Sequence, residues 1–331
     1  MKSFIEIIII LCFIFTKEKT PEKIKSSKFS NAELINNNIL VSYDGGISTY
    51  SYDMQLISDK AISDLELTSY SEIYSLNSAQ IIIQSLREIY LIENDEIKHK
   101  ISRDTTSIFR QVLIINSNTF LVLKVELTTS IIYYCLYSTS SDLDTPTKIV
   151  KSNKGYNHYK CNLVNTDYIV CFLVDDTELY YTVFDKNLDL KVKETKIEVP
   201  ESELRINYIF STSITSTKII SYLIKANDDD EKYLESDFKY NSYLLIFEFN
   251  NLILTKINPI DGFLVYDKTC TGIDAFYMNK LSNEEFVVVF PIEENKFYFT
   301  IYIYKNDELS VKKGYENIPL SFEYKIQGLK F

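Results

Sequence analysis

The sequence predicts an all-β protein, a β-propeller of six blades, or seven if the two ends combine into another. Three observations predict it. First, one unit recurs about six times between residues 34 and 310. It consists of an apolar run, a short Asn/Ser/Thr turn, a second apolar run, an acidic turn and a Tyr-rich alternating run. Second, those runs alternate with period two, the signature of strands with two different faces. Third, outside the N-terminus there is no convincing amphipathic helix longer than two turns.

The clearest unit starts at Tyr159. It runs through Val164, turns at Asn165-Thr166-Asp167, continues from Tyr168 to Val174, turns at Asp175-Asp176-Thr177 and ends with Glu178 to Phe184. That pattern is an antiparallel β-meander. The centres of the second strands are expected at Ile39, Ile81, Phe120, Tyr168, Ile219 and Phe286. The first three steps, 42, 39 and 48 residues, have the length of a four-stranded propeller blade. The later steps, 51 and 67 residues, carry surplus length at Ala226 to Tyr240 and Pro259 to Gly272. Both read as loops grafted onto a regular repeat. From Phe297 to Tyr304, Phe297, Phe299, Ile301 and Ile303 alternate with Tyr298, Thr300, Tyr302 and Tyr304, which excludes a helix. Tyr133-Tyr134 and Tyr180-Tyr181 fall at matching places in the third and fourth units. Such tyrosines either serve recognition, with large area and a polar tip, or pack between blades. Gly314 to Phe331 supplies a closing strand or part of the last blade.

Two β-sandwich domains are the competing architecture, because they too have short strands at regular spacing. Blade-length recurrence favours the propeller, whereas only seven glycines in 331 residues counts against it. With no Pro/Gly/Ser-rich linker, residues 31–331 are expected to form a single domain, preceded by a charged lead-in at 17–30.

Residues 1–16 have the order of a secretory signal peptide. Lys2 is followed by an apolar stretch from Ile7 to Phe15, too short to span a bilayer, and then by Thr16-Lys17-Glu18. Glu6 and the lack of a small-x-small cleavage site leave an uncleaved anchor or a buried strand as alternatives. No other segment could span a bilayer, so no membrane insertion is expected after signal removal. Cys12 would leave with the signal; Cys135, Cys161, Cys171 and Cys270 would remain. Cys161 and Cys171 are symmetric about Thr166, so a hairpin sets them opposite one another at a separation a disulfide can bridge. Two buried free thiols are the alternative, and a Cys135–Cys270 bond would be only the arithmetic remainder.

The net charge of −11 with four arginines disfavours nucleic acid, whose binding requires clustered cations. No glycine-rich phosphate loop occurs and no cofactor is implied. The chain has two histidines, His99 in a charged Lys98-His99-Lys100 context and His158 in an Asn-rich turn. Neither has a metal-ligand partner at suitable spacing, and both read as surface histidines. The run Asp228-Asp229-Asp230-Glu231 is contiguous, so its carboxylates splay apart where a calcium loop makes them converge. It reads as a solvated loop or a contact for a basic partner.

The hairpin repeats behind a signal peptide, notably Cys161 to Phe184, resemble the propeller-like ectodomains of secreted or surface proteins from AT-rich unicellular eukaryotes. The resemblance covers most of the chain and carries no functional residue with it. It implies a secreted, non-enzymatic binding module for a protein or glycan ligand. The candidate contacts are the two insertions, with Asp228, Asp229, Asp230, Glu231, Asp261 and Gly262. A propeller-type glycan hydrolase and a structural coat protein are the alternatives.

Overall fold

The computed structural model describes residues 29–319 except 36–37, 44–45, 52–55, 63, 67–71, 199–204, 227–239, 259–276, 281–283, 294–295 and 307. The segment expected to be a signal, with Cys12, lies outside the described residues. So do Asp228, Asp229, Asp230, Glu231, Asp261, Gly262 and Cys270.

The described residues form six four-stranded antiparallel sheets, each a simple meander. The first contains β1 (Phe29–Ile35), β2 (Asn38–Tyr43), β3 (Gly46–Ser51) and β4 (Leu56–Ala61). The second contains β5 (Glu72–Ser75), β6 (Gln80–Gln84), β7 (Glu88–Glu93) and β8 (Glu96–Ser102), and the third β9 (Ser107–Asn116), β10 (Thr119–Glu126), β11 (Ile131–Ser138) and β12 (Lys148–Gly155). The fourth contains β13 (His158–Val164), β14 (Tyr168–Asp175), β15 (Glu178–Asp185) and β16 (Leu190–Ile197). The fifth contains β17 (Arg205–Ser213), β18 (Lys218–Ala226), β19 (Tyr240–Asn250) and β20 (Ile253–Asn258), and the sixth β21 (Tyr277–Lys280), β22 (Glu285–Glu293), β23 (Lys296–Lys305) and β24 (Glu308–Pro319). All six expected second-strand centres lie on second strands. Gly314 lies in β24, the fourth strand of the sixth sheet.

The chain separates into two compact units. One comprises residues 1–128, 133–149 and 320–331; the other comprises 129–132 and 150–319. Within each unit, neighbouring sheets stack face to face on apolar clusters. In the first unit, Ile73, Ile83 and Tyr90 pack with Ile47, and Ile82 and Leu91 pack with Phe120 and Val122. In the second, Val170, Phe172 and Val183 of the fourth sheet pack on Ile219, Leu223 and Phe247 of the fifth. Ile220, Tyr222 and Ile246 of the fifth sheet in turn meet Phe286, Val288 and Tyr302 of the sixth.

Covering both faces explains why second strands read as unbroken apolar runs. Six consecutive residues of β14, Ile169 to Val174, are buried. First strands lie beside first strands within each unit: β1 against β5 and β5 against β9, then β13 against β17 and β17 against β21. The first strand is therefore the inner edge of each sheet and the fourth the outer edge. At the inner seam the Asn162 side-chain amide donates to Ser211 Oγ across 2.5 Å, and Ser213 Oγ donates to the Leu163 carbonyl across 2.8 Å. The outer strands show the opposite pattern. β8, β12 and β16 alternate exposed and half-buried positions and carry lysines. Among the described residues, five of the six exposed large apolar side chains, Ile57, Ile149, Leu190, Ile253 and Val311, also lie on fourth strands. Lysine at such an edge discourages pairing with another chain, because adding a strand would desolvate its charge.

The scarcity of glycine has a local explanation. Left-handed backbone is supplied mostly by Asn and Asp: Asp64, Asn94, Asp95, Asn165, Asp176, Asn251 and Asn306 all have positive φ. Their short polar side chains tolerate that region and satisfy nearby backbone. Asn94 and Asp95 make the two-residue hairpin between Glu93 and Glu96. Glycine is needed at Gly155, where a Cβ would overlap the Thr129 carbonyl oxygen.

On the tyrosine face of β23, Thr300, Tyr302 and Tyr304 are buried. Tyr302 and Tyr304 belong to the core between the fifth and sixth sheets. These tyrosines pack between blades.

Candidate functional site

Because strands alternate in direction, each sheet has two distinct ends. The turn between its first and second strands and the turn between its third and fourth share the upper end. The turn between the second and third strands shares the lower end with the connection to the next sheet. In the second unit the upper turns are short. Asp167 takes an ion pair from Lys186 across 2.9 Å, and Glu284 takes one from Lys305 across 3.4 Å.

The connections that carry the surplus length of the sequence begin and end at the lower end. β18 ends there at Ala226 and β19 begins there at Tyr240. β20 ends there at Asn258 and β21 begins there at Tyr277. Both surplus segments of the sequence are thus anchored at the same end of the fifth and sixth sheets.

His158 is the first residue of β13, on an inner strand at this lower end, and not in a turn as the Asn-rich context suggests. Its ring lies 4.9 Å from that of Tyr208 on β17, which stacks 6.4 Å from Phe210. All three are half-buried. The other histidine, His99, sits on the outer strand β8 with Nε2 3.2 Å from Asp144 Oδ1.

Cys161 and Cys171 are directly opposed in the β13–β14 ladder, with Cα atoms 4.0 Å apart, and are joined by a disulfide. Cys135 is a buried free thiol whose pKa burial pushes up to about 11, which keeps it protonated and inert.

A motif that the repeat pattern did not flag recurs here, Glu-x-Tyr with the phenol donating back to the carboxylate. It occurs as Glu72–Tyr74, Glu88–Tyr90 and Glu178–Tyr180. In two sheets the fourth strand adds a lysine directly opposite the tyrosine, Lys100 facing Tyr90 and Lys196 facing Tyr180. Lys100 Nζ reaches Glu88 Oε1 at 2.6 Å, and Lys196 Nζ reaches Glu178 Oε1 at 2.5 Å. Burial pushes the Glu88 carboxyl up, but Lys100 and Tyr90 outweigh it and hold it below the usual range. Lys196 and Tyr180 likewise lower Glu178. The tyrosines move the other way. Burial and then Glu88 raise the Tyr90 phenol; Glu178 raises that of Tyr180. Phenols held protonated in this way donate hydrogen bonds and are poor nucleophiles. The signal was present as a Glu-x-Tyr spacing at the start of a strand, but the opposing lysine becomes visible only with the register.

Among the described residues, no group of three or more His, Cys, Asp or Glu side chains could hold a metal ion. No helix among them is long and apolar enough to cross a membrane.

No protein-family model matches the chain, and no curated protein matches it by sequence. Several solved structures share its fold. Hydrazine synthase of Kuenenia stuttgartiensis is similar over 87% of this chain and 80% of that one, with 11% identity and a TM-score of 0.55. An ulvan lyase from a polysaccharide lyase family is similar over 86% and 82%, with 9% identity and a TM-score of 0.54. A putative 6-phosphogluconolactonase from Bacteroides fragilis is similar over 88% and 85%, with 14% identity and a TM-score of 0.51. At such identities the likeness concerns architecture and not activity. The chain is all-β, with the propeller architecture of repeated four-stranded antiparallel meanders.

Proposed function

We propose that the protein is a secreted, non-enzymatic binding module, with its ligand contacts carried by the insertions Ala226 to Tyr240 and Pro259 to Gly272. The observation that carries this is the anchoring of both insertions at the same end of adjacent sheets, by Ala226 and Tyr240 and by Asn258 and Tyr277. Long segments on a rigid scaffold can vary without cost to its core, and two that emerge together can contact one ligand. Asp228, Asp229, Asp230, Glu231, Asp261 and Gly262 are the proposed contact residues, and the ligand is a protein or a glycan. Secretion is supported by the apolar segment Ile7 to Phe15 and by the Cys161–Cys171 disulfide, a bond that persists in oxidising compartments. The proposed setting is the ectodomain repertoire of an AT-rich unicellular eukaryote, in keeping with a composition rich in Ile, Lys, Asn and Tyr.

The test uses the chain from residue 17 onward on arrays of glycans and surface proteins. Replacing the two insertions with short Gly-Ser linkers is expected to abolish binding. Replacing the upper turn at Asn165–Asp167 is expected to leave it intact. Turnover of any arrayed glycan, or binding that survives both linker replacements, overturns the proposal. N-terminal sequencing of protein recovered from culture medium tests export.

A further inference from the structure

We propose that Lys154 plugs a binding site for alkylammonium groups, and that a lysine side chain of a partner protein takes its place. The inference does not depend on the insertions. Three other lysines among the described residues lie over one tyrosine ring each: Lys100 over Tyr90, Lys124 over Tyr133 and Lys218 over Tyr304. Lys154 lies over two. Its Nζ is 4.7 Å from the Tyr180 centroid and 5.4 Å from that of Tyr156. The two rings meet edge to face, 6.1 Å apart at 63°, so their faces form a corner. Asp175 closes the third side through an ion pair with Lys154.

Cation–ring attraction and a carboxylate acceptor together select a cation that carries N–H groups. The surrounding charge favours one as well. Glu178 adds to the field on Lys154, and Glu194 to that on Tyr156. Of these carboxylates, Glu178 also pairs with Lys196 and Glu194 accepts from the backbone N–H and side-chain amide of Asn153, whereas Asp175 pairs with Lys154.

The walls are fixed and the plug is not. Gly155 brings the chain onto Thr129, Tyr156 N–H donates to the Ser130 carbonyl across 3.0 Å, and Asn157 N–H donates to the Val174 carbonyl across 2.9 Å. Tyr156 is buried, with 1% of its surface exposed. Lys154 keeps 45% of its side chain in solvent and Asp175 keeps 39%, so the ammonium can leave by rotation about its own stem. The corner thus provides a preformed site with its own tethered competitor. A competitor that fills the site about nine-tenths of the time lowers apparent affinity about tenfold.

The experiment titrates n-butylammonium into the wild-type chain and into Lys154→Ala, Lys154→Ala/Tyr180→Phe and Lys154→Ala/Tyr180→Ala, followed by ligand-observed NMR. Lys154→Ala is expected to bind at least about tenfold more tightly than wild type. The Tyr180→Phe double variant, which keeps the ring, retains that binding, and the Tyr180→Ala double variant loses it. Butyltrimethylammonium, which has no N–H, binds several-fold more weakly than n-butylammonium. Equal affinity in wild type and Lys154→Ala overturns the plug. Binding that survives Tyr180→Ala overturns the site, and equal affinity for the two ammonium compounds overturns the ligand class. Thermal melts of every variant show whether a loss comes from unfolding; the Tyr180→Phe variant keeps the test valid if Tyr180→Ala unfolds.

Discussion

The second and fourth sheets carry the same three residues in the same arrangement and use them differently. Glu88, Tyr90 and Lys100 are a glutamate, a tyrosine two residues on and a lysine directly across the ladder; so are Glu178, Tyr180 and Lys196. In the second sheet the tyrosine has no exposed surface, packs with Ile73 and Ile83 and reaches the backbone of Glu66. In the fourth it stays half-exposed and receives a second lysine, Lys154. Register makes the motif, but the neighbouring chain decides whether it becomes core or surface. A sequence pattern alone does not separate a structural tyrosine from an accessible one.

Substitutions at paired positions test that difference. The largest effect is expected for Tyr90→Ala, which leaves a cavity in a closed core and should cost about 3–5 kcal/mol in denaturant unfolding. Tyr180→Ala removes a half-exposed ring and should cost about 1 kcal/mol or less. Equal losses would show that the two tyrosines are equivalent after all. Next comes the disulfide, present in the fourth sheet and absent from the described residues of the second. Cys161→Ser/Cys171→Ser opens a short loop and should lower stability by about 2–3 kcal/mol. Dithiothreitol should produce the same loss in wild type once the buried bond is reached. Tyr90→Phe deletes a hydroxyl bonded to a mostly buried carboxylate and should cost about 1–2 kcal/mol. Tyr180→Phe should change the melting curve little.

The smallest effect is expected in acid. Hydrogen bonding holds Glu88 below its unfolded value, so its contribution is complete above the ordinary carboxylate range and disappears as pH falls through the lowered folded value. Glu88→Gln should flatten the acid limb of the stability profile, whereas Glu178→Gln, at a solvated site, should leave its slope nearly unchanged. An unchanged slope for Glu88→Gln would place its ion pair in the same screened class.

The scaffold was largely legible in the sequence because period-two patterning and turn chemistry are local. Ile39, Ile81, Phe120, Tyr168, Ile219 and Phe286 all fall on second strands, and Thr166 is the centre of the hairpin that brings Cys161 to Cys171. The low glycine count argues against a propeller on composition alone, yet Asn94, Asp95, Asn165 and Asp176 supply the left-handed backbone that glycine would otherwise give. What stayed hidden depends on partners distant in sequence. His158 and Tyr208 are 50 residues apart yet come within ring contact because β13 and β17 share an inner seam. Lys154 meets Tyr180, 26 residues further on, beside Gly155, whose missing Cβ lets the end of β12 lie against the Thr129 carbonyl. No composition or spacing rule contains that geometry.

The lysine-bearing outer strands have a consequence for handling and chemistry of the protein. If charge alone keeps those backbone edges solitary, acylation of surface amines would remove the deterrent while leaving Ile57, Ile149, Leu190 and Ile253 uncovered. Treatment with acetic anhydride should then drive ordered polymerisation, visible as rising light scatter with thioflavin fluorescence. Guanidination, which preserves the positive charge on each lysine, should leave the protein monodisperse.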